Sequence, residues 1–343
     1  MASIAFGIFD HLDRRPLLAA QIYEERLQLL EAADAAGFYG YHLAEHHATP
    51  LSLAPSPGIF LAAASQRTRR IRLGALVYLL PLYNPLRLLE EICMLDHLSK
   101  GRLDLGVGRG ASPFELGFFG VDSTRSREMF EEALGILLQG FQGEQLLHKG
   151  EYYRYPNVPL ELQPLQKPYP PIWYPTSRRE SVPFVARNGL NTMFSGAPES
   201  VRGNIAIYRE VWQQHRDAPG RLNAHVAEPK IGINLKVYVA ETDEEALAVA
   251  RPAQREHYAN LVKLWQDFNT TPTGFTPDLD LLMRNHAALV GSPKHVREQA
   301  AYALDISGAN YLVGQFHFGA MTHEQALRSL GLFAGEVMPV LLG

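Results

Sequence analysis

Residues Arg70–Gly110 read RIRLGALVYLLPLYNPLRLLEEICMLDHLSKGRLDLGVGRG. Ile71–Tyr78 is a near-continuous apolar run, as expected of a strand covered on both faces. Pro85 stands where a helix accepts proline, in its first turn, and the helix it opens runs to about Leu98. Leu103–Val107 is again a strand. Strand, helix, strand in one stretch is the crossover unit of a parallel sheet.

The same alternation extends in both directions. Upstream lie a strand at Ile4–Ile8 and a helix from about Leu17 to Ala36, with Ile22, Leu29, Ala33 and Ala36 on one face and Gly37 as its stop. A strand at Tyr39–Ala44 and a helix over Gly58–Gln66 follow. Downstream, Ser126 is placed to cap a helix Arg127–Gln139. Strands at Pro171–Tyr174, Asn191–Phe194, Ile231–Val239 and Asn310–Gln315 alternate with helices near 179–187, 198–215, 243–267 and 323–337; a further helix near 293–305 precedes the last strand. Eight such units predict an α/β fold, a (β/α)8 TIM barrel, as a single domain over 1–343 with insertions. The insertions fall at about 140–170 and 268–285. Long insertions in barrels belong to the active-site face or cover it, and the second is the candidate lid.

The formal charge of −4 and the lack of a long basic stripe argue against a nucleic-acid partner. The one cysteine, Cys93, allows no internal disulfide and reads as core. MASIAFGIFDHLDRR at the start lacks a charged n-region and a long h-region, and nowhere do about 18 uninterrupted apolar residues occur. A soluble, cytoplasmic protein without membrane contact is expected.

In a barrel the reacting groups stand at the C-terminal ends of strands. Three places there are unusual. Glu45-His46-His47 follows the second strand, and a strand-end histidine suits general acid–base work. Its plainer reading is a hydrogen-bonded strand-end residue. A metal site is rejected, since three consecutive side chains cannot all point at one ion and no H-E-x-x-H occurs. Gly106-Val107-Gly108-Arg109-Gly110 offers backbone that a flat ligand can approach, or simply a tight turn with a solvated arginine. Thr176–Ser181 opens a helix with free amides, and Arg178 and Arg179 in its first turn oppose the helix dipole unless an anion binds there. The alternative is that both splay into water. Arg127 heads the preceding helix, within reach of the same corner.

Beyond these features, GFYGYHLAEHH (Gly37–His47), the Arg70–Gly110 run, FFGVD (Phe118–Asp122), VPLELQPLQKPYPPIW (Val158–Trp173), ARNGL (Ala186–Leu190), GAPES (Gly196–Ser200) and GANYLVGQFHFG resemble the bacterial luciferase-like, flavin-dependent monooxygenases over nearly the whole chain. The resemblance implies that His46 is the catalytic base, with Glu45 and His47 as pocket neighbours. It implies that Arg109, Arg127 and Ser181, with Ser177 and Arg178 nearby, hold a flavin phosphate. The ring would rest beside Gly108 and a cis peptide bond at Leu76–Val77. Two departures argue against light emission: Gly108 stands where luciferase has a reactive cysteine, and Ser177-Arg178 replaces its Glu-Ser pair.

What the resemblance implies for function is a two-component monooxygenase. Reduced FMN, supplied by a separate flavin reductase, reacts with O2 to give a C4a-hydroperoxide, which attacks a small-molecule substrate; a homodimer through the second and third helices is expected. A hydrophobic substrate fits the pocket contributors Phe9, Tyr78, Tyr174, Phe194 and Phe316. Within the same fold the rival is a deazaflavin (F420)-dependent hydride-transfer enzyme, against which EHH and Val158–Trp173 favour FMN. A non-catalytic flavin-binding protein is the rival of another class. A Schiff-base aldolase fits poorly, because no lysine makes a clear strand-end nucleophile and Lys236 lies within the seventh strand.

Overall fold

The computed structural model describes residues 4–342; residues 1–3 and 343, the extremes of the predicted unit, lie outside the described residues. Eight parallel strands form a (β/α)8 barrel: β1 (Ala5–Asp10), β2 (Gly40–Leu43), β3 (Arg72–Leu79), β4 (Leu103–Gly108), then, after a hairpin of β5 (Gln145–Lys149) and β6 (Arg154–Pro159), β7 (Ile172–Trp173), β8 (Thr192–Ser195) and β9 (Ile231–Val239). β10 (Ala288–Gly291) precedes β11 (Tyr311–Gln315), which completes the ring between β9 and β1. Between β7 and β8 the ring is joined by one parallel bridge, Trp173–Asn191, where Tyr174 N–H donates to the Asn191 carbonyl at 2.8 Å. Strands this short leave no room for a longer ladder.

The helices follow their strands as α1 (Ala19–Ala36), α2 (Pro57–Arg67), α3 (Pro85–Leu98), α4 (Pro113–Phe118), α5 (Ser126–Gly140), α6 (Val182–Arg187), α7 (Pro198–His215), α8 (Asp243–Asp267), α9 (Leu279–Arg284), α10 (Pro293–Ser307) and α11 (His323–Leu332). Gly37 ends α1 in the left-handed region at φ 86°, a conformation cheap only for glycine. Pro85 opens α3, and the Asn84 side chain accepts the Arg87 N–H. The expected Ser126 cap is not formed. Ser126 is already inside α5, and its hydroxyl donates to the Ser123 carbonyl at 2.7 Å.

Inside the barrel, Tyr311, His42 and Trp173 fill the lower layer. Tyr311 Oη lies 2.9 Å from His42 Nε2, and the His42 and Trp173 rings are 4.5 Å apart. A Cβ at Gly7 would fall on the Tyr311 hydroxyl, so glycine is required where that ring crosses β1. Burial pushes the His42 pKa down to about 3, and it is neutral filler. A barrel plugged this way has its usable space at the C-terminal mouth.

The two insertions behave differently. The 140–170 segment forms the β5–β6 hairpin and stays outside the mouth; Glu132 of α5 accepts the Tyr152 and Tyr153 N–H groups, fastening the hairpin to the flank of the barrel. Its proline and tyrosine content serves that packing, with Tyr155 hydrogen-bonded to Asn84 and Leu86 at the head of α3. The 268–285 segment contributes Gly274, Phe275, Thr276 and Leu282 to the wall of a cavity at the mouth. Sequence periodicity missed β10, which extends the upper half of β9 (Ala288 opposite Lys236, Gly291 opposite Val239), and the short α4 and α9.

Candidate active site

A cavity of about 380 Å³ opens at the C-terminal ends of the strands. Its walls come from Phe9 of β1, Glu45 and His46 after β2, Leu79 of β3, Ala111, Ser112 and Glu115 after β4, and Ser195, Asn234, Lys236 and Gln315 of β8, β9 and β11. The apolar side is Leu261, Leu264 and Trp265 of α8 with Phe275 and Leu282. Across the top, Phe114 of α4 stacks on Phe268 with ring centres 4.3 Å apart and planes at 11°, and Trp265 meets Phe114 edge-on.

Tyrosine and peptide donors hold the first polar wall in place. Buried Glu45 accepts from His47 Nε2 at 2.8 Å, the Leu79 N–H at 3.1 Å and the Tyr83 hydroxyl at 2.9 Å. Burial raises its pKa against the pull of those donors. His46 turns the other way, donating Nδ1–H to Glu115 Oε1 at 3.1 Å, while Glu115 Oε2 accepts the His47 backbone N–H at 3.2 Å. A carboxylate can only accept, so Nδ1 carries the proton in this bond. The histidine lines the cavity.

Beyond His46 the imidazoles continue. His11 stacks on His46 with ring centres 5.7 Å apart and lies 5.5 Å from the ring of His257. His257 Nδ1 donates to Asp13 at 2.7 Å, and the Gly319 N–H donates to the same oxygen. Burial works against the Asp13 carboxylate, but the field of His257, its hydrogen bond and the Gly319 N–H together hold its pKa down at about 2. Burial lowers the pKa of His257 despite Asp13, and that of His11 further still.

The arginines gather outside this cavity, on the β4–β7 side. Burial raises the pKa of half-buried Tyr174, and the charges of Arg109, Arg127 and Arg178 pull it back in part. Arg127 is paired with Glu131 at 2.9 Å. Arg179 lies against Gly203 of α7, because Arg178 is the extended residue before the 3-10 segment and Arg179 the first residue within it. Ser177 and Ser181 stand on the turn between β7 and α6, and Ser181 N–H closes that turn on the Arg178 carbonyl. The turn runs through a 3-10 segment, Arg179–Ser181, into a helix of only six residues. Guanidinium groups are donors suited to a phosphate dianion. The Leu76–Val77 bond is cis, and Val77 packs against Gly108 so closely that a Cβ there would sit 2.4 Å from its Cγ2.

Of the expected pocket aromatics, only Phe9 reaches the cavity. Tyr78 and Phe194 are buried in the core, because strand residues alternate in direction and these two face the helices, and Phe316, just past β11, packs on Phe38 and Phe333. Tyr174 belongs to the arginine corner. His47 supports Glu45 and does not line the cavity. Cys93 is buried core, as read. Glu115 escaped the sequence reading, although Ser112-Pro113-Phe114-Glu115 carries a helix-start signature: the Ser112 hydroxyl accepts the Glu115 N–H at 3.3 Å. His11 and Asp13, just past β1, were legible by position. His257, in the middle of α8, carries no local signal.

A family model described as luciferase-like monooxygenase matches residues 4–310. An uncharacterised protein of Sinorhizobium fredii, y4wF, is 39% identical over 341 residues, spanning 98% of this chain and 97% of its own length. The oxygenase component of a flavin-dependent trigonelline monooxygenase from Acinetobacter baylyi is 29% identical over 252 residues, or 71% of this chain and 68% of that protein. Among solved structures, monooxygenase RslO1 of Streptomyces bottropensis superposes with a TM-score of 0.86 at 29% identity, over 98% of this chain and 99% of that one.

Proposed function

Since the chain belongs to the luciferase-like monooxygenase family, we propose that it is the oxygenase component of a two-component system that takes reduced FMN from a separate flavin reductase and oxygenates a small organic substrate. The observation that carries this reading is His46 on the cavity wall, its Nδ1–H held by Glu115. When bound, reduced FMN supplies the two electrons with which one atom of O2 enters the substrate and the other leaves as water.

The residues of the chain divide the remaining work. Arg109, Arg127 and Arg178 bind the phosphate, with Ser177 and Ser181 on the adjoining turn. Leu76, Val77 and Gly108 form the ring platform. His46 takes a proton at Nε2, and Glu115 stabilises the imidazolium that results. Glu45, fixed by His47, Leu79 and Tyr83, keeps the neighbouring wall rigid. The Phe114–Phe268–Trp265 stack and the 268–285 lid exclude water, which would otherwise divert reduced flavin into wasteful oxidation.

The protein works in the cytoplasm, where its buried Cys93 stays reduced, and no helix among the described residues is long and apolar enough to cross a membrane. A homodimer through α2 and α3 is supported by Ile59 and Met94, which stand 75% and 56% exposed on those helices. The test is an O2 pulse to anaerobic protein titrated with reduced FMN. Rapid, protein-dependent O2 use that His46→Ala slows supports the proposal. Failure to bind FMN, or hydride transfer with reduced F420 and no O2 use, refutes it; a bound flavin whose oxidation never changes marks a flavin carrier.

A further inference from the structure

Opposite His46 the cavity carries a polar wall with no part in the steps above. Four residues from three adjacent strand ends line it, Ser195, Asn234, Lys236 and Gln315. Register brings them together: Ser195 is opposite Asn234, and Gln315 is opposite Lys236. Asn234 and Lys236 are two apart on β9 and share its inner face.

Their hydrogen bonds run in one direction. Lys236 Nζ donates to Gln315 Oε1 at 3.0 Å, Gln315 Nε2 donates to Asn234 Oδ1 at 3.3 Å, and Asn234 Nδ2 donates to Ser195 Oγ at 3.3 Å. An ammonium has only donors, so it fixes the orientation of both amides. The wall therefore offers the cavity the Lys236 amino group at one end and the Ser195 O–H at the other.

Lys236 is only 9% exposed, and among the described residues it forms no ion pair; its other neighbour is the face of Phe318, 4.6 Å away. Asp13 is near enough to be felt, but its oxygens are taken by His257, Gly319 and Asn260. A buried cation without an anion is expensive, and an anionic partner removes that cost where a neutral one does not. Burial moves the Lys236 pKa down to about 7, so an incoming anion also decides its protonation. Arg109, Arg127 and Arg178 do not line this cavity.

We propose that Ser195, Asn234, Lys236 and Gln315 bind a substrate carboxylate, and that the substrate is a small organic acid whose apolar body lies against Leu261, Leu264 and Trp265. Lys236 is then a specificity-determining residue. The inference rests on the proposed oxygenase reading for what happens to the acid, but not for its binding.

The test is calorimetric titration of the protein, with and without oxidised FMN, using benzoate, cyclohexanecarboxylate and hexanoate against their neutral amides. At least one acid is expected to bind about tenfold or more tightly than its amide. Lys236→Met should abolish that preference and leave amide and FMN affinities unchanged. Ser195→Ala, a milder change at the other end of the wall, should reduce it severalfold. Equal affinity for acids and amides, no binding of any acid at millimolar concentration, or a Lys236→Met variant that loses FMN instead would each overturn the proposal. Acid preference in a protein that binds no FMN would uphold the wall and sink the oxygenase reading; FMN-dependent O2 use without acid preference would do the reverse.

Discussion

His46 donates its Nδ1–H to Glu115 Oε1 across 3.1 Å, tying the strand end after β2 to the first turn of α4. The bond sets both the tautomer and the direction of the ring. Replacing His46 with alanine should lower turnover by about 10²–10⁴-fold while FMN binding stays near normal. Glu115→Ala should cost about tenfold or more through loss of orientation. Single-turnover oxidation of reduced FMN, with flavin affinity measured in parallel, checks both. Unaltered kinetics in either variant would remove that residue from the mechanism.

At the arginine corner, Arg109→Ala should weaken FMN by about tenfold, which is about 1.4 kcal/mol. Added salt should weaken FMN binding to the parent protein more than to the variant, because the lost contact is ionic. Fluorescence titration over a salt series reads both. Riboflavin, which lacks the phosphate, should bind the two proteins alike.

The Phe114–Phe268 stack holds the start of the 268–285 segment over the cavity. An aromatic pair of this kind contributes about 0.5–1.5 kcal/mol, so Phe268→Ala should raise the open population about two- to tenfold. The expected sign is more hydrogen peroxide released per reduced flavin consumed. Tight coupling in the variant would show that the segment does not act as a lid.

Asp13 gives the fold an acid-sensitive point. Its pKa is about 2 in the folded protein against 3.8 for a free aspartate, so between those values the unfolded chain holds the extra proton. The stabilisation it contributes, about 2 kcal/mol, is complete above about pH 4 and is lost as pH falls toward 2. Asp13→Asn should be less stable at neutral pH and should flatten that part of the acid-unfolding curve followed by circular dichroism.

Much of this molecule is written locally. The apolar run Ile71–Tyr78, Pro85 at a helix start and Gly37 at a helix stop each act on their own neighbours, and β9 falls at Ile231–Val239 as its pattern predicts. Candidate site residues were readable where a strand end marks them, as for Glu45, His46 and Arg109. The 140–170 insertion and the four misassigned aromatics were not, because which side of a wall a segment covers depends on packing partners far along the chain.

Sequence alone determined the alternation of strand and helix, and with it the barrel, since hydrophobic period and turn chemistry are settled within a few residues. Only the tertiary structure decided that Glu115 would orient His46, that Arg178 and Arg179 would part, and that Lys236 would meet Gln315, 79 positions away, on one wall. The physical reason is closure of the ring. It brings β9 and β11 beside each other and turns their inner faces to one cavity, and no local pattern encodes which side chains meet there.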